Sequence, residues 1–244
     1  MMTHPASARR FQPASLADLD EPVRRYLTHA IRDDAPLAAG IRLTMSGRIK
    51  VGPVWLGFTA QQEFDGHEFA WRARAGWGPF KPLFVVDQYR AGAGSIDGRL
   101  FGRLSFLHAD DENTTRAAAA RGAVESIWVP ASLLPDRGVT WRAENRNLLV
   151  AGFEVPPERP EVRLTIDDMG AVLSVSVMRW GNVDQNDYGY IPFGGNVTAE
   201  RRFGDLVLPA RVSVGWWFGT ARFAPFFEAE ILDAVPVDRP SGTI

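Results

Sequence analysis

The sequence predicts a mainly β (α+β) protein: a strongly curved antiparallel sheet or half-open barrel of about ten strands, with two covering helices. Three observations carry this reading. Apolar and polar residues alternate with period two over most of the chain. Turn residues separate the alternating runs at roughly 8–15-residue spacing, the rhythm of hairpins. Only two segments switch to helical spacing.

The first of these lies near residues 20–32. Asp20 is a candidate N-cap, and Pro22 falls in the first turn, where its missing N–H costs nothing. Val23, Tyr26, Leu27, Ala30 and Ile31 then form one apolar stripe. The strands follow. Ile41, Leu43, Met45, Ile49 and Val51 share a face; after a turn at Gly52-Pro53 so do Val54, Leu56, Phe58, Ala60 and Phe64, and then Phe69, Trp71, Ala73 and Ala75. The run Leu83, Val85, Asp87, Tyr89 continues the pattern, and Gly92 to Gly98 reads as a hairpin turn. The second helix spans about 112–129, with an alanine-rich middle, Asp111 or Asn113 as cap, and Pro130 as its limit. Beyond it come Val162-Leu164-Ile166, a turn at Met169-Gly170, Leu173-Val175-Val177, Leu208 to Trp216, and Phe227-Ala229-Ile231. No linker divides the chain, so residues 20–235 are expected to form one domain between a flexible segment, 1–19, and a flexible tail, 236–244.

Composition excludes several functions. The 244 residues contain no cysteine, which removes disulfide scaffolds, cysteine-bound metals and thiol nucleophiles. A formal net charge of -2 argues against nucleic acid as a partner. His4, His29, His67 and His108 show no metal-ligand spacing, so no metal is expected. The chain also lacks a nucleophile elbow, a phosphate loop and a dinucleotide fingerprint, so no cofactor is expected. No apolar run follows Arg9 and Arg10, and none anywhere reaches the roughly 18 residues of a membrane helix. The expected location is therefore the cytoplasm, with no integral membrane segment.

What remains is an aromatic load of eight tryptophans and fifteen phenylalanines. These either fill a core or wall an apolar cavity. The candidate ligand-binding residues are Phe58, Trp71, Val85, Trp128, Val175, Trp180 and Trp216. Four ionisable residues stand out beside them. Asp87 and Tyr89 continue the apolar face of their strand, and Arg179 ends the face begun by Leu173, Val175 and Val177. Glu125 sits late in a helix, where the dipole disfavours an acid and an arginine is expected to compensate. A buried charge requires a partner, so Arg179 is expected to pair with Asp87 or Glu125, or else all lie at strand ends in solvent.

The segments Glu21-Pro22-Val23-Arg24-Arg25-Tyr26-Leu27, Glu125 to Pro135 (Glu-x-x-Trp-x-Pro-x-x-Leu-Leu-Pro) and Gly215 to Phe227 (Gly-Trp-x-x-Gly-Thr-x-Arg-Phe-x-Pro-Phe-Phe) are similar to an uncharacterised bacterial β-rich domain family of about this length. The resemblance covers most of residues 20–234 and implies no catalytic assignment. The order of elements also resembles the half-barrel of bacterial lipoprotein carriers. Three functions stay open. The first is binding of a hydrophobic or amphipathic small molecule, lipid-like or polyketide-like. The second is a cofactor-independent isomerase, lyase or cyclase using the same cavity, with Asp87, Tyr89, Glu125 and Arg179 as catalytic groups. The third is a structural or interaction domain with no cavity.

Overall fold

The computed structural model describes residues 9–185 and 187–237. Six strands precede the long helix: β1 (Gly40–Val51), β2 (Val54–Asp65), β3 (Glu68–Trp77), β4 (Phe80–Arg90), β5 (Ala93–Leu100) and β6 (Leu104–Ala109). Seven follow it: β7 (Thr140–Ala143), β8 (Leu148–Gly152), β9 (Glu161–Ile166), β10 (Val172–Gly181), β11 (Gly189–Phe203), β12 (Leu206–Trp216) and β13 (Ala224–Val237). The helices are α1 (Glu21–Ala30) and α2 (Glu112–Glu125).

All thirteen strands belong to one sheet, in the order β6-β5-β4-β3-β2-β1-β13-β12-β11-β10-β9-β8-β7. Every consecutive pair on each side of α2 is an antiparallel neighbour, so the sheet is two meanders. They join where the last strand returns to pair with the first, Ile49 opposite Phe227. Thirteen strands replace the expected ten or so because short or non-alternating segments also pair. β6 is exposed along almost its whole length, and β7 has only four residues.

The sheet is neither closed nor strongly curled, which corrects the expected strong curvature or half-open barrel. Its edges, β6 and β7, stand at opposite ends of the strand order. The chain passes between them through α2, over one face, and the edges share no ladder. α2 touches β4 and β5 on one side and β10 on the other.

Local chemistry explains how α2 lies there. The Asp111 carboxylate accepts from the Thr114 N–H at 2.8 Å and caps the helix. Ala118, Ala119, Ala120, Gly122 and Ala123 are all buried, so the helix approaches the sheet with almost no side-chain standoff. At Gly122 a Cβ would lie 2.2 Å from the carbonyl oxygen of His67, in the turn between β2 and β3. The α-helix ends at Glu125, and Ser126–Trp128 continues as a 3-10 turn ahead of Pro130. The expected helical boundary near 129 thus moves inward.

α1 buries its whole stripe, Val23, Tyr26, Leu27, Ala30 and Ile31, against β7, β8 and β12. Asp20 does not cap it; the carboxylate instead accepts from the Ala143 N–H at 2.8 Å. The segment expected as a flexible leader sends Phe11 and Leu16 into the core, and the Phe11 N–H donates to the Ala35 carbonyl at 2.8 Å. Pro236 and Val237, expected in the tail, pair with Ile41 and Gly40. The rest of that tail, 238–244, and residues 1–8 lie outside the described residues. Among those described, no helix is long and apolar enough to cross a membrane.

Two tests follow from this packing. Gly122→Ala gains helix propensity but overpacks a backbone contact, and a net loss of about 1–3 kcal/mol is expected from the urea midpoint. Near the end of α1, His29 Nε2 lies 2.7 Å from Glu200 Oε2. The hydrogen bond to Glu200 raises the imidazole pKa against the opposing effect of burial. A pKa raised in the folded state stabilises fully below the ordinary imidazole value of ~6.5, and that gain is lost as pH rises through the raised value. The stability difference between the wild type and His29→Gln, followed by denaturation across neutral pH, should shrink as pH rises. A difference that grows with pH contradicts this pairing.

Candidate functional site

A cavity of about 360 Å³ lies between α2 and the sheet. Strand alternation builds its walls. Leu83, Val85 and Asp87 project from one face of β4, Trp71, Ala73 and Ala75 from β3, and Val175 and Arg179 from β10. β11, β12 and β13 contribute Phe193, Val212, Val214, Trp216, Phe226 and Phe227. The end of α2 and the turn after it close the space with Arg121, Val124, Glu125, Ile127 and Trp128. The space persists because several positions facing it are small, Ala73 and Ala75 on β3 and Gly194 and Gly195 on β11. Small residues at these positions leave volume that larger side chains would occupy.

Of the candidate ligand-binding residues, Trp71, Val85, Trp128, Val175 and Trp216 line the cavity. Phe58 does not. It lies behind the wall, stacked on Phe227 at 5.1 Å and edge-on to Trp71 at 5.8 Å. Trp180 is also outside the lining. The Arg116 guanidinium covers its ring at 3.5 Å, and its indole N–H donates to Asn113 Oδ1 at 2.8 Å. The start of α2 therefore claims this tryptophan, an allocation that strand alternation does not reveal.

Asp87, Glu125 and Arg179 line the cavity, whereas Tyr89 does not; its hydroxyl donates to the Pro156 carbonyl. The expected pairing of Arg179 with Asp87 or Glu125 is corrected by Arg121. Arg121 donates to Asp87 Oδ2 at 2.5 Å and to Glu125 Oε1 at 2.8 Å. The second oxygen of Glu125 accepts from Gln62 Nε2 at 2.7 Å. All three charged side chains are less than one fifth exposed. Burial works to lower the Arg121 pKa, but Glu125 and Asp87 raise it more, so the guanidinium is held above its ordinary value. Arg121 is thus the arginine expected to compensate Glu125, and it pairs with Asp87 as well; one cation against two carboxylates leaves the cluster a net negative charge, which acts on Arg179.

Arg179 is left in a different state. Its Nε donates to the Ala117 carbonyl of α2 at 3.0 Å. Its guanidinium carbon lies 4.5 Å from the Phe193 ring centre and 5.2 Å from that of Trp216. Asp87 and Glu125 are both in ion pairs with Arg121, and Arg179 forms no ion pair among the described residues. Burial, reinforced by the charge of Arg121 and opposed by those of Asp87 and Glu125, pushes its pKa down to about 10. Arg179 therefore stays cationic at neutral pH, facing an apolar space with its terminal nitrogens unpaired. A second donor lies in the same wall: Trp71 Nε1 is buried with no hydrogen-bond partner.

Missed in the sequence were Arg121 and the aromatic pair Phe226 and Phe227. The spacing of Arg121 four residues before Glu125 was a usable signal for an ion pair. Among the described residues no group of histidines and carboxylates is arranged to hold a metal ion.

No curated protein matches the chain. Among solved structures, a DUF1329 family protein from Desulfovibrio piger aligns with a TM-score of 0.48 at 8% identity, covering 92% of this chain and 93% of its own. A domain named for outer membrane lipoprotein sorting, from Vibrio parahaemolyticus, aligns with a TM-score of 0.45 at 7% identity, covering 81% of this chain and 85% of its own. A family model matches residues 9–229, and the chain belongs to that family, DUF6544, a family of unknown function.

Proposed function

We propose that the protein binds an amphipathic small molecule, lipid-like or polyketide-like, with its apolar body against the cavity wall and an anionic head on Arg179. The observation that carries this reading is a cation in a largely apolar wall whose terminal nitrogens have no hydrogen-bond partner among the described residues. A charge partly withdrawn from water gains from a hydrogen-bonding partner, and an arginine fork with free terminal nitrogens suits a carboxylate. The volume, about 360 Å³, falls within the ~300–1,000 Å³ of small-molecule sites. Such a volume favours a ligand over the structural domain with a filled core.

The same groups weigh toward binding rather than turnover. A general base needs a free basic oxygen near the substrate. Both oxygens of Glu125 are engaged, Asp87 gives one of its two to Arg121, and the Tyr89 hydroxyl is tied to a backbone carbonyl outside the cavity. An isomerase, lyase or cyclase using Glu125 would have to break this network, and one using Asp87 would have to act beside the Arg121 cation.

The test is displacement of an environment-sensitive dye from the native protein by a straight-chain fatty acid and by the alcohol of the same length. Both should compete, the acid more strongly. In Arg179→Met the advantage of the acid should fall by on the order of tenfold or more, the worth of a charge-assisted hydrogen bond. Absence of native-state competition by either compound refutes the cavity reading. Equal competition by acid and alcohol refutes the head-group assignment alone.

Stability should divide the two arginines. Arg121→Met leaves two carboxylates buried without their cation, and a loss of about 3–5 kcal/mol is expected in chemical denaturation. Arg179→Met removes a cation with no direct ion pair, one hydrogen bond to Ala117 and its ring contacts, and should cost clearly less, about 1–2 kcal/mol or under. A large loss from Arg179→Met would mean that the cation already has an internal partner.

A further inference from the structure

The hairpin turns β1–β2, β3–β4 and β5–β6 are neighbours in the sheet and emerge from the same edge of it. Their tips are apolar and exposed. Val51, Val54, Trp77, Phe80, Phe101 and Leu104 are each between 45% and 64% exposed. Phe80 and Phe101 reach across from adjacent tips, with ring centres 6.2 Å apart. Exposed aromatics scattered singly need no explanation, but a contiguous row marks an interaction site.

Charge adds a second, independent feature. The segments 49–56, 75–84 and 98–107 contain Lys50, Lys81, Arg99 and Arg103, and no aspartate or glutamate. Lys50 and Lys81 are the only lysines in the chain, whose net charge is -2. Both therefore sit on one rim of an otherwise slightly acidic protein. At the opposite ends of the same strands the β2–β3 turn reads Asp65-Gly66-His67-Glu68, with neither large exposed apolar residues nor lysine.

Backbone geometry gives a third. Phe101 occupies the left-handed region, with φ of 53°. A bulky side chain there is strained where glycine would be at ease. Phe101 is 57% exposed and spends its ring on the neighbouring tip residue Phe80 rather than on the core.

We propose that this rim docks the protein onto the surface of a lipid bilayer bearing anionic head groups. The aromatic and leucine tips enter the interfacial layer, while Lys50, Lys81 and Arg103 reach the phosphates around them, with their aliphatic stems lying along the apolar patch. Tips carrying cations and no acids complement an anionic lipid surface. Val51 and Phe106 belong both to this rim and to the wall of the cavity, so the docking surface borders the cavity. The docking stands whether or not the cavity takes the ligand proposed above.

Co-sedimentation of the full chain with vesicles of phosphatidylcholine alone, or mixed with phosphatidylglycerol, tests it. Binding is expected to the mixed vesicles and to weaken as salt is raised. The double variant Phe80→Ser/Phe101→Gly should lower vesicle affinity by about tenfold or more, with no loss of thermal stability because Phe101→Gly relieves strain. Lys81→Glu should lower it in the mixed vesicles only. Failure to bind either vesicle, or binding unchanged by the tip variants, overturns the proposal. Concentration-dependent self-association in ultracentrifugation, abolished by the same variants without vesicle binding, also overturns it and assigns the rim to a second copy of the chain.

Discussion

Two carboxylates on the wall of an apolar cavity, Asp87 from β4 and Glu125 from the end of α2, require a cation between them, and Arg121 meets that requirement from within the helix itself. One guanidinium in contact with both acids offsets part of a double desolvation cost and leaves one net negative charge on the wall. Because the two acids come from different elements, the cluster also fixes how α2 is rolled on the sheet. Its aliphatic stem and planar head lie against aromatic rings, with the guanidinium carbon 4.6 Å from the centre of Phe69 and 5.6 Å from that of Trp71. Nearer the start of α2, Arg116 ties the helix to Glu158 at 2.5 Å and to the Tyr190 hydroxyl at 2.9 Å. The helix is thus pinned at two points by arginines, with small residues pressed onto the sheet between and around them.

Arg121 holds both acids directly, and Arg179 feels them only at a distance, with no direct ion pair among the described residues. The two arginines have the same chemistry and share a cavity, but they differ in what surrounds their nitrogens. Arg121 has spent its donors on the protein. Arg179 has spent only its Nε, on a helix carbonyl, and rests on two aromatic rings. Stacking orients a guanidinium without consuming its N–H groups. Arg179 is consequently preorganised and unsatisfied together, the state a binding group needs and a structural group avoids.

Much of the fold was legible because period-two alternation reports which face of a strand is buried. Val85, Asp87, Val175 and Arg179 line the cavity, for the two charged residues one of the two placements that the pattern left open. Leu173 shows where the rule stops. The ladder between β9 and β10 shifts register between Val172 and Ser174, so Val172 is buried and Leu173 faces outward, although alternation groups it with Val175. Trp180 and Phe58 were misplaced for a related reason: their neighbours are α2 and β13, distant in sequence and invisible to local periodicity. The ion pair of Arg121 with Glu125 is written into helical spacing, whereas its bond to Asp87 joins residues 34 apart in different elements. Sheet closure was illegible as well, since alternation is identical in an open sheet and a curled one; only the pairing of the edge strands distinguishes them.

The cavity reflects the same division between local and long-range information. Ala73 and Ala75 are ordinary small residues of a buried strand, and Gly194 and Gly195 lie in β11, a strand that alternation did not predict. Each is unremarkable alone. Brought into one wall, they leave a hollow that Trp71, Trp216, Phe226 and Phe227 border but do not fill. A sheet can keep such a hollow only if another element holds it open, and α2 does so because its ion pairs and its contact with the His67 carbonyl set its distance from the strands. The arginines that pair with buried acids therefore also act as spacers. The volume of the cavity and the vacancy at Arg179 are two consequences of where Arg121 sits.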